Sequence, residues 1–318
     1  AKIRVSGKRV TVSLGYPAKR DFEGIREKLG EYLGVVDLEL DLEFMTPSER
    51  SFDRVGHVIA VASGKGGVGK STCAVSLALA LEQEGAKVGL LDADIYGPSL
   101  GMMLGVSPGK RPTIKEEKYF EPIKAHGIKA MSMSFLVNEK TPMVWRGPMA
   151  SGALQQMLLQ TLWDELDYLI VDMPPGTGDI QLTLSQKVPV AGAVIVTTPQ
   201  DLALQDAVKG IEMFTKVDIP VVGIIENMSV HVCENCGHES PLFGSDGGML
   251  LAEKWEVPLL AQVPLAAEIR EQTDLGVPVV DPVGNSASAE IFRRAARQVA
   301  ARLWELKGSS PDISIVEN

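Results

Sequence analysis

The chain begins with alternating apolar and polar residues and continues with short apolar runs separated by helical patterns. Residues 9–14 and 35–44 alternate as strands do, and residues 21–33 carry apolar side chains at helical spacing. These patterns predict a small α+β unit over residues 1–44, followed by a polar linker over residues 45–55. A strand–helix–strand unit of this size is stable only if it docks on another segment or is completed by one.

From residue 56 onward, continuous apolar runs of strand length alternate with segments of helical pattern. The predicted strands are residues 57–62, 87–92, 127–133, 168–172, 192–197, 221–225 and 258–263. The predicted helices are residues 72–84, 149–163, 202–217 and 287–306, and residues 104–126 are expected to be irregular. Apolar strands between helices predict an α/β domain over residues 56–318, with a mostly parallel sheet covered by helices on both faces.

The turn between the first strand and the first helix of this domain fits the phosphate-binding pattern G-x-x-x-x-G-K-[ST]. The predicted nucleotide-binding residues here are Gly64, Lys65, Gly66, Gly67, Val68, Gly69, Lys70, Ser71 and Thr72. Glycines allow successive backbone N–H groups to point at phosphate oxygens, and the helix N-terminus adds its positive end. Lys70 suits the β- and γ-phosphates, and the Ser71 hydroxyl suits Mg²⁺. The alternative is a glycine-rich turn without a ligand.

Acidic residues end two other predicted strands. Asp172 follows the apolar residues 168–171, as in a Walker B strand whose carboxylate holds the water shell of Mg²⁺. The backbone N–H of Gly176, in the loop that follows, is predicted to face a γ-phosphate. Asp92 and Asp94 end the strand after the phosphate loop helix, and such strand ends face the ligand crevice in open α/β sheets. We expect Asp94 to orient the attacking water and Asp92 to support it; alternatively, each only ends a strand and caps a turn.

Asn227 lies just after the predicted strand 221–225. A side-chain amide offers both a donor and an acceptor, so Asn227 is predicted to pair with the edge of an adenine base. The alternative is an asparagine that serves only as a turn residue after a strand.

Cys233 and Cys236 form a C-x-x-C pair, a spacing that places two thiolates on one metal ion or cluster. Cys73 lies in the helix after the phosphate loop and is expected to be a small buried residue. A [4Fe–4S] cluster usually takes four thiolates, so it would need two chains, as in a symmetric homodimer. The alternatives are a single-chain zinc site that adds His231 and His238, or a redox or inert pair.

The composition is that of an ordinary globular protein, with 45% hydrophobic and 23% charged residues among 318. The net charge is −10 and no long basic block occurs, which argues against a nucleic-acid partner. No apolar run reaches the roughly 18 residues that span a bilayer, and the first residues lack a signal-peptide pattern. Three cysteines are too few for a disulfide framework. We therefore expect a cytoplasmic protein without a membrane partner.

The loop sequence K-G-G-V-G-K-S resembles the deviant Walker A motif of the MinD/ParA class of P-loop ATPases. In that class the extra lysine, here Lys65, reaches the nucleotide of the other subunit of a dimer; the alternative is a solvated loop lysine. The motifs D-A-D-I-Y-G-P-S, D-M-P-P-G-T-G-D, E-N-M-S and C-x-x-C-G follow in the order seen in Mrp/ApbC proteins. The chain resembles that family over residues 56 to about 305.

The resemblance implies a homodimeric ATPase that carries a [4Fe–4S] cluster and delivers it to apo-proteins, together with assembly factors. It implies that ATP is bound or hydrolysed by Lys65, Lys70, Ser71, Asp94, Asp172 and Asn227, and that the cluster is held by Cys233 and Cys236. Residues 1–44 resemble the latter part of a small iron–sulfur assembly domain. The rival functions are a MinD/ParA-like positioning ATPase and a zinc-binding, nucleotide-dependent module.

Overall fold

The computed structural model describes residues 2–6, 9–33, 39–44, 54–136, 147–178, 181–182, 185, 188–233, 235–280, 286–306 and 312–315. The strands are β1 (Lys2–Ser6), β2 (Arg9–Leu14), β3 (Glu39–Phe44), β4 (Val55–Ala62), β5 (Val88–Asp92), β6 (Thr113–Lys115), β7 (Tyr119–Glu121), β8 (Ile123–Ala125), β9 (Ile128–Ser132), β10 (Leu166–Asp172), β11 (Val190–Thr197), β12 (Val221–Val232), β13 (Glu239–Ser240), β14 (Leu259–Leu265) and β15 (Asp312–Ile315). The α-helices are α1 (Phe22–Leu33), α2 (Lys70–Gln83), α3 (Leu100–Met103), α4 (Gly147–Gln160), α5 (Asp201–Lys216), α6 (Gly247–Trp255), α7 (Ala267–Asp274) and α8 (Ala287–Leu306). Most of the predicted linker, residues 45–53, lies outside the described residues.

The main sheet has the strand order β13-β12-β11-β4-β10-β5-β9-β8, and β14 also pairs with β12. Its central strands are parallel, whereas β8 and β13 pair antiparallel with their neighbours. Every residue of β4 is buried, because helices cover both faces of the sheet. The prediction of a mostly parallel α/β sheet is confirmed.

Helix α2 carries the phosphate loop at its first residue and packs against α8 and the central strands. Its side chains are buried on nearly every side, including Leu77, Leu79 and Leu81. Cys73 is fully buried in this helix, and burial raises the pKa of its thiol to about 12. The expectation that Cys73 is a buried apolar residue is therefore confirmed.

The amino-terminal segment forms a second sheet with the order β15-β1-β2-β3. Neither β1 nor β15 was predicted, and β15 adds residues 312–315 to a sheet otherwise made by residues 2–44. This unit docks on the larger one: the Tyr16 ring lies 6.0 Å from that of Trp304, and Glu84, at the end of α2, accepts a hydrogen bond from the Arg20 backbone N–H at 2.8 Å. The small unit is thus both completed and docked.

Two parts of the main sheet differ from the sequence predictions. The stretch 104–126, expected to be irregular, contains the hairpin β6–β7 and the edge strand β8. Strand β12 runs seven residues beyond the predicted end at Ile225 and stops at Val232, next to the cysteine pair. Among the described residues, no helix is long and apolar enough to span a membrane.

Candidate nucleotide site and cysteine hairpin

The phosphate loop joins β4 to α2, and three of its four glycines are required, for two different reasons. Gly67 and Gly69 have φ values of 79° and 81°, a backbone conformation that L side chains rarely adopt. Gly64 instead packs against α5: a Cβ atom on it would lie 2.1 Å from the carbonyl oxygen of Asp206. Around Gly66 a Cβ atom would meet nothing within 4 Å. The loop is therefore curled at the helix N-terminus and fixed to α5 at its start.

Lys70 and Asp172 form an ion pair at the base of the loop. The Lys70 side chain is 6% exposed and that of Asp172 is fully buried, and the ammonium donates a hydrogen bond to Asp172 Oδ1. Burial raises the pKa of Asp172, while Lys70 and the hydroxyl of Ser71 oppose this rise. Asp172 Oδ2 is a buried oxygen without a hydrogen-bond partner among the described residues. The structure thus brings together the predicted Walker A lysine and serine with the predicted Walker B aspartate.

Asp92 ends β5 and is almost completely buried. Its carboxylate accepts hydrogen bonds from the N–H groups of Asp94 (3.1 Å), Ser99 (3.2 Å) and Leu100 (3.4 Å) and from the hydroxyl of Ser132 (3.0 Å). Burial, followed by the nearby Asp172 carboxylate, raises the pKa of Asp92 to about 7. Asp92 therefore holds the turn that carries Asp94. Asp94 itself is half-buried, and its charge is close enough to Asp172 to raise the pKa of that group further.

The predicted position of Asn227, just after the end of a strand, is wrong. Asn227 lies within β12, because this strand continues to Val232. A change of register between Asn227 and His231, with a φ of 56° at Met228, bends the strand here. The Asn227 amide donates a hydrogen bond to the carbonyl of Val68 at 2.8 Å. Asn227 also lines a cavity of about 230 Å³ beside the loop. The cavity wall further includes Gly69, Thr72, Pro264, Leu265 and Ile269. Whether this cavity receives an adenine stays a prediction.

Lys65 and Gly176 both have partners within the chain. The Lys65 ammonium donates to Gln200 Oε1 at 3.3 Å, and the Gly176 N–H donates to the Ser63 carbonyl at 2.9 Å. The predicted contact of Gly176 with a γ-phosphate would require this hydrogen bond to break, because an N–H group serves one strong acceptor at a time. The roles of Lys65 across a dimer and of Gly176 on a phosphate stay predictions.

The cysteine pair lies on the hairpin between β12 and β13, which pairs Val232 with Glu239. The Cys233 N–H donates to the His238 carbonyl at 2.9 Å, and the Gly237 N–H donates to the Cys233 carbonyl at 2.8 Å. Cys236 is exposed and Cys233 partly exposed, and neither forms a disulfide. In the described part of the chain, no group of three or more His, Cys, Asp or Glu side chains could hold a metal ion. The structure does not assemble the His231 and His238 zinc alternative.

Sequence reasoning missed two polar residues of this site. Ser132, which bonds Asp92, ends β9 and gives no motif signal. Gln200 follows β11, the strand beside β4 in the sheet. Since the carboxyl ends of neighbouring parallel strands face one crevice, the position of Gln200 was a signal that could have identified it.

A family model described as NUBPL iron-transfer P-loop NTPase matches residues 54–300. The chain belongs to this family. A Pseudomonas fragi protein named iron-sulfur cluster carrier protein is 64% identical to this NUBPL-family chain over 242 residues, covering 76% of it and 84% of the relative. The Mus musculus iron-sulfur cluster transfer protein NUBPL is 49% identical over 259 residues, covering 81% of each chain.

Solved structures resemble this NUBPL-family member as well. A nucleotide-binding protein from Archaeoglobus fulgidus in complex with ADP has a TM-score of 0.63 and 40% identity, covering 71% of this chain and 88% of that one. The cell division ATPase MinD from Pyrococcus furiosus has a TM-score of 0.56 and 23% identity, covering 77% and 98%. The likeness to MinD concerns the fold alone. The predicted MinD/ParA-like P-loop NTPase fold and the family resemblance are confirmed.

Proposed function

We propose that the protein is an ATP-hydrolysing carrier that holds a [4Fe–4S] cluster between two identical subunits and transfers it to apo-proteins. The observation that carries this proposal is the course of β12. One strand, β12, bears Asn227, whose amide hydrogen-bonds to the phosphate loop, and it ends five residues later at Val232, next to the exposed cysteine hairpin. Relatives named iron-sulfur cluster carrier and transfer proteins support the cargo.

The nucleotide is expected to bind with its phosphates on the loop of residues 64–72. Phosphate oxygens would compete with Asp172 for the Lys70 ammonium, which lies at the first residue of α2. Mg²⁺ fits this site, because the Ser71 hydroxyl and Asp172 Oδ2, which has no hydrogen-bond partner within the described parts of the chain, are hard oxygen ligands beside the loop. Bound there, the ion would neutralise charge that develops on the phosphates. Asp94 would then orient the attacking water on the turn that Asp92 holds.

Two subunits are needed because one chain offers too few thiolates. The sequence has three cysteines, and Cys73 is fully buried in α2, which leaves Cys233 and Cys236. Four thiolates for a four-iron cargo therefore come from two hairpins. A dimer of this kind also allows Lys65 of each subunit to reach the nucleotide of the other. We further infer that the protein acts in the cytoplasm, where thiols stay reduced.

Anaerobic reconstitution with iron and sulfide tests the proposal. We expect about four iron and four sulfide per dimer, with transfer to an apo-ferredoxin of the four-iron type. Cys233→Ser and Cys236→Ser should each abolish cluster binding and transfer. Cys73→Ser is the matched control, and it should retain the cluster because Cys73 cannot reach the surface.

Two results would contradict the shared cluster. One is a single zinc ion bound tightly to each monomer after anaerobic purification. The other is a full cluster in a species that remains monomeric in sedimentation. Zinc in place of the cluster would remove the cargo assignment, whereas a cluster held by a monomer would remove only its sharing between two subunits. Neither result bears on the nucleotide site.

A further inference from the structure

The Lys65 ammonium is held within its own subunit by one side chain. Its hydrogen bond goes to Gln200 Oε1 at 3.3 Å, and the hydroxyl of Thr198 donates to the same oxygen at 3.4 Å. Gln200 occupies the N-cap position of α5, yet its side chain makes no capping hydrogen bond. The amide is therefore turned away from the helix that it precedes and towards the phosphate loop.

The backbone on both sides of this contact is fixed. The Ser63 hydroxyl donates to the Lys65 carbonyl at 2.9 Å, which sets the backbone from which the lysine side chain projects. Gly64 packs directly on the α5 backbone at Asp206, so the start of the loop lies against the helix with no room for a side chain between them. Only the Lys65 side chain has to rotate for the contact to break.

The acceptor of the Lys65 hydrogen bond is the neutral amide of Gln200, although α5 also carries carboxylates nearby. Asp201 lies next to Gln200, and Asp206 pairs with Lys209 at 2.8 Å rather than with Lys65. Among the described residues, the hydrogen-bond partner of the Lys65 ammonium is Gln200. A half-exposed bond to a neutral amide is weaker than one to a carboxylate and much weaker than a contact with phosphates. The contact can hold the lysine and still release it to a charged ligand.

We propose that Gln200 is a positioning residue that retains Lys65 in its own subunit until the nucleotide of a partner subunit displaces it. The inference rests on the proposed function, in which Lys65 acts on the other subunit's nucleotide. Within its own subunit the Lys65 ammonium is held by the Gln200 oxygen, and dimer closure exchanges that oxygen for phosphate oxygens of the partner's nucleotide. The strength of the Gln200 contact then sets the protein concentration at which turnover begins.

Two substitutions change the contact in opposite directions. Gln200→Met keeps the side-chain length and removes the amide oxygen, whereas Gln200→Glu replaces it with a carboxylate. In the nucleotide-free protein, the rate at which an amine reagent modifies Lys65, measured by mass spectrometry, should rise about two- to fivefold in Gln200→Met and fall in Gln200→Glu. Lys209, on the same helix, is the internal control, and its modification rate should not change.

Turnover of ATP provides the second readout. Gln200→Glu should raise the protein concentration for half-maximal turnover about tenfold, and Gln200→Met should lower it. Equal Lys65 modification rates in all three proteins, or turnover changes of the same sign in both variants, would overturn the role of Gln200. Full turnover by Lys65→Ala would instead overturn the action of Lys65 across the dimer, and the role of Gln200 with it. Loss of the cluster alone would affect only the cargo assignment.

Discussion

Replacing Gly64 with alanine tests the packing of the phosphate loop on α5. The new Cβ atom would lie 2.1 Å from the Asp206 carbonyl oxygen and 2.2 Å from its carbon. Both atoms belong to the backbone of a 16-residue helix, so a side-chain rotation cannot relieve the overlap. Loop and helix must separate by about 1 Å, and such a gap removes roughly a quarter to a half of the van der Waals attraction between each pair of atoms that were in contact. Overpacking of this kind costs about 1–3 kcal/mol.

Gly66→Ala is the matched control, because its Cβ would meet nothing within 4 Å and its φ is not in the left-handed region. Thermal unfolding of the nucleotide-free proteins should place Gly64→Ala about 2–6 °C below wild type in Tm, with Gly66→Ala close to wild type. A Gly64→Ala protein whose Tm equals that of Gly66→Ala would refute the close packing. Both variants can lose nucleotide affinity, so the stability difference is the decisive quantity.

Two other predictions concern buried ionisable groups. Folding raises the pKa of Asp92 from 3.8 to about 7. Between these two pH values the folded state holds a proton on Asp92 that the unfolded state has lost, so the free energy of unfolding falls as the pH rises towards 7. Between pH 5 and pH 8, the wild type should lose roughly 2–3 kcal/mol of unfolding free energy relative to Asp92→Asn, as measured by urea denaturation. Parallel pH profiles of the two proteins would contradict this. The second group is Cys73, which is fully buried with a pKa of about 12. A thiol reagent should therefore label Cys233 and Cys236 in the cluster-free folded protein and Cys73 only in urea. Labelling of Cys73 as fast as that of Cys236, detected by mass spectrometry, would show that α2 opens readily.

The sequence sufficed for elements whose signal is local. The apolar run ending at Asp172 and the 20-residue pattern of α8 predicted a strand and a helix close to their observed bounds. The outer strands were missed for a physical reason. Edge strands such as β8 and β13 need only short stretches that hydrogen-bond to a neighbour, and β15 exists because β1 offers an open edge. Such pairings depend on distant residues and leave no periodic pattern.

In the candidate site too, the residues of local motifs were predictable from the sequence, and the contacts between distant residues were not. Motif spacing indicated Lys70, Ser71 and Asp172, and the structure brings them together. It could not indicate that Asn227 bonds the Val68 carbonyl or that Lys65 meets Gln200, because these contacts join residues more than a hundred positions apart. At the bend that lets β12 continue towards the cysteines, Met228 adopts a left-handed backbone conformation although it is not a glycine. Local propensity argues against that conformation.

The parallel pairing of β1 with β15 joins Lys2 to Asp312. During synthesis, β1 leaves the ribosome long before β15 is made, so the β1 edge of this sheet stays open until residues 312–315 have been translated. Closing so long a loop is slow, although the added entropy cost grows only with the logarithm of its length. The P-loop unit, whose strands pair over shorter separations, can fold first and offer α8 as a docking surface. The sheet that contains β1 and β15 is therefore expected to form after the P-loop unit.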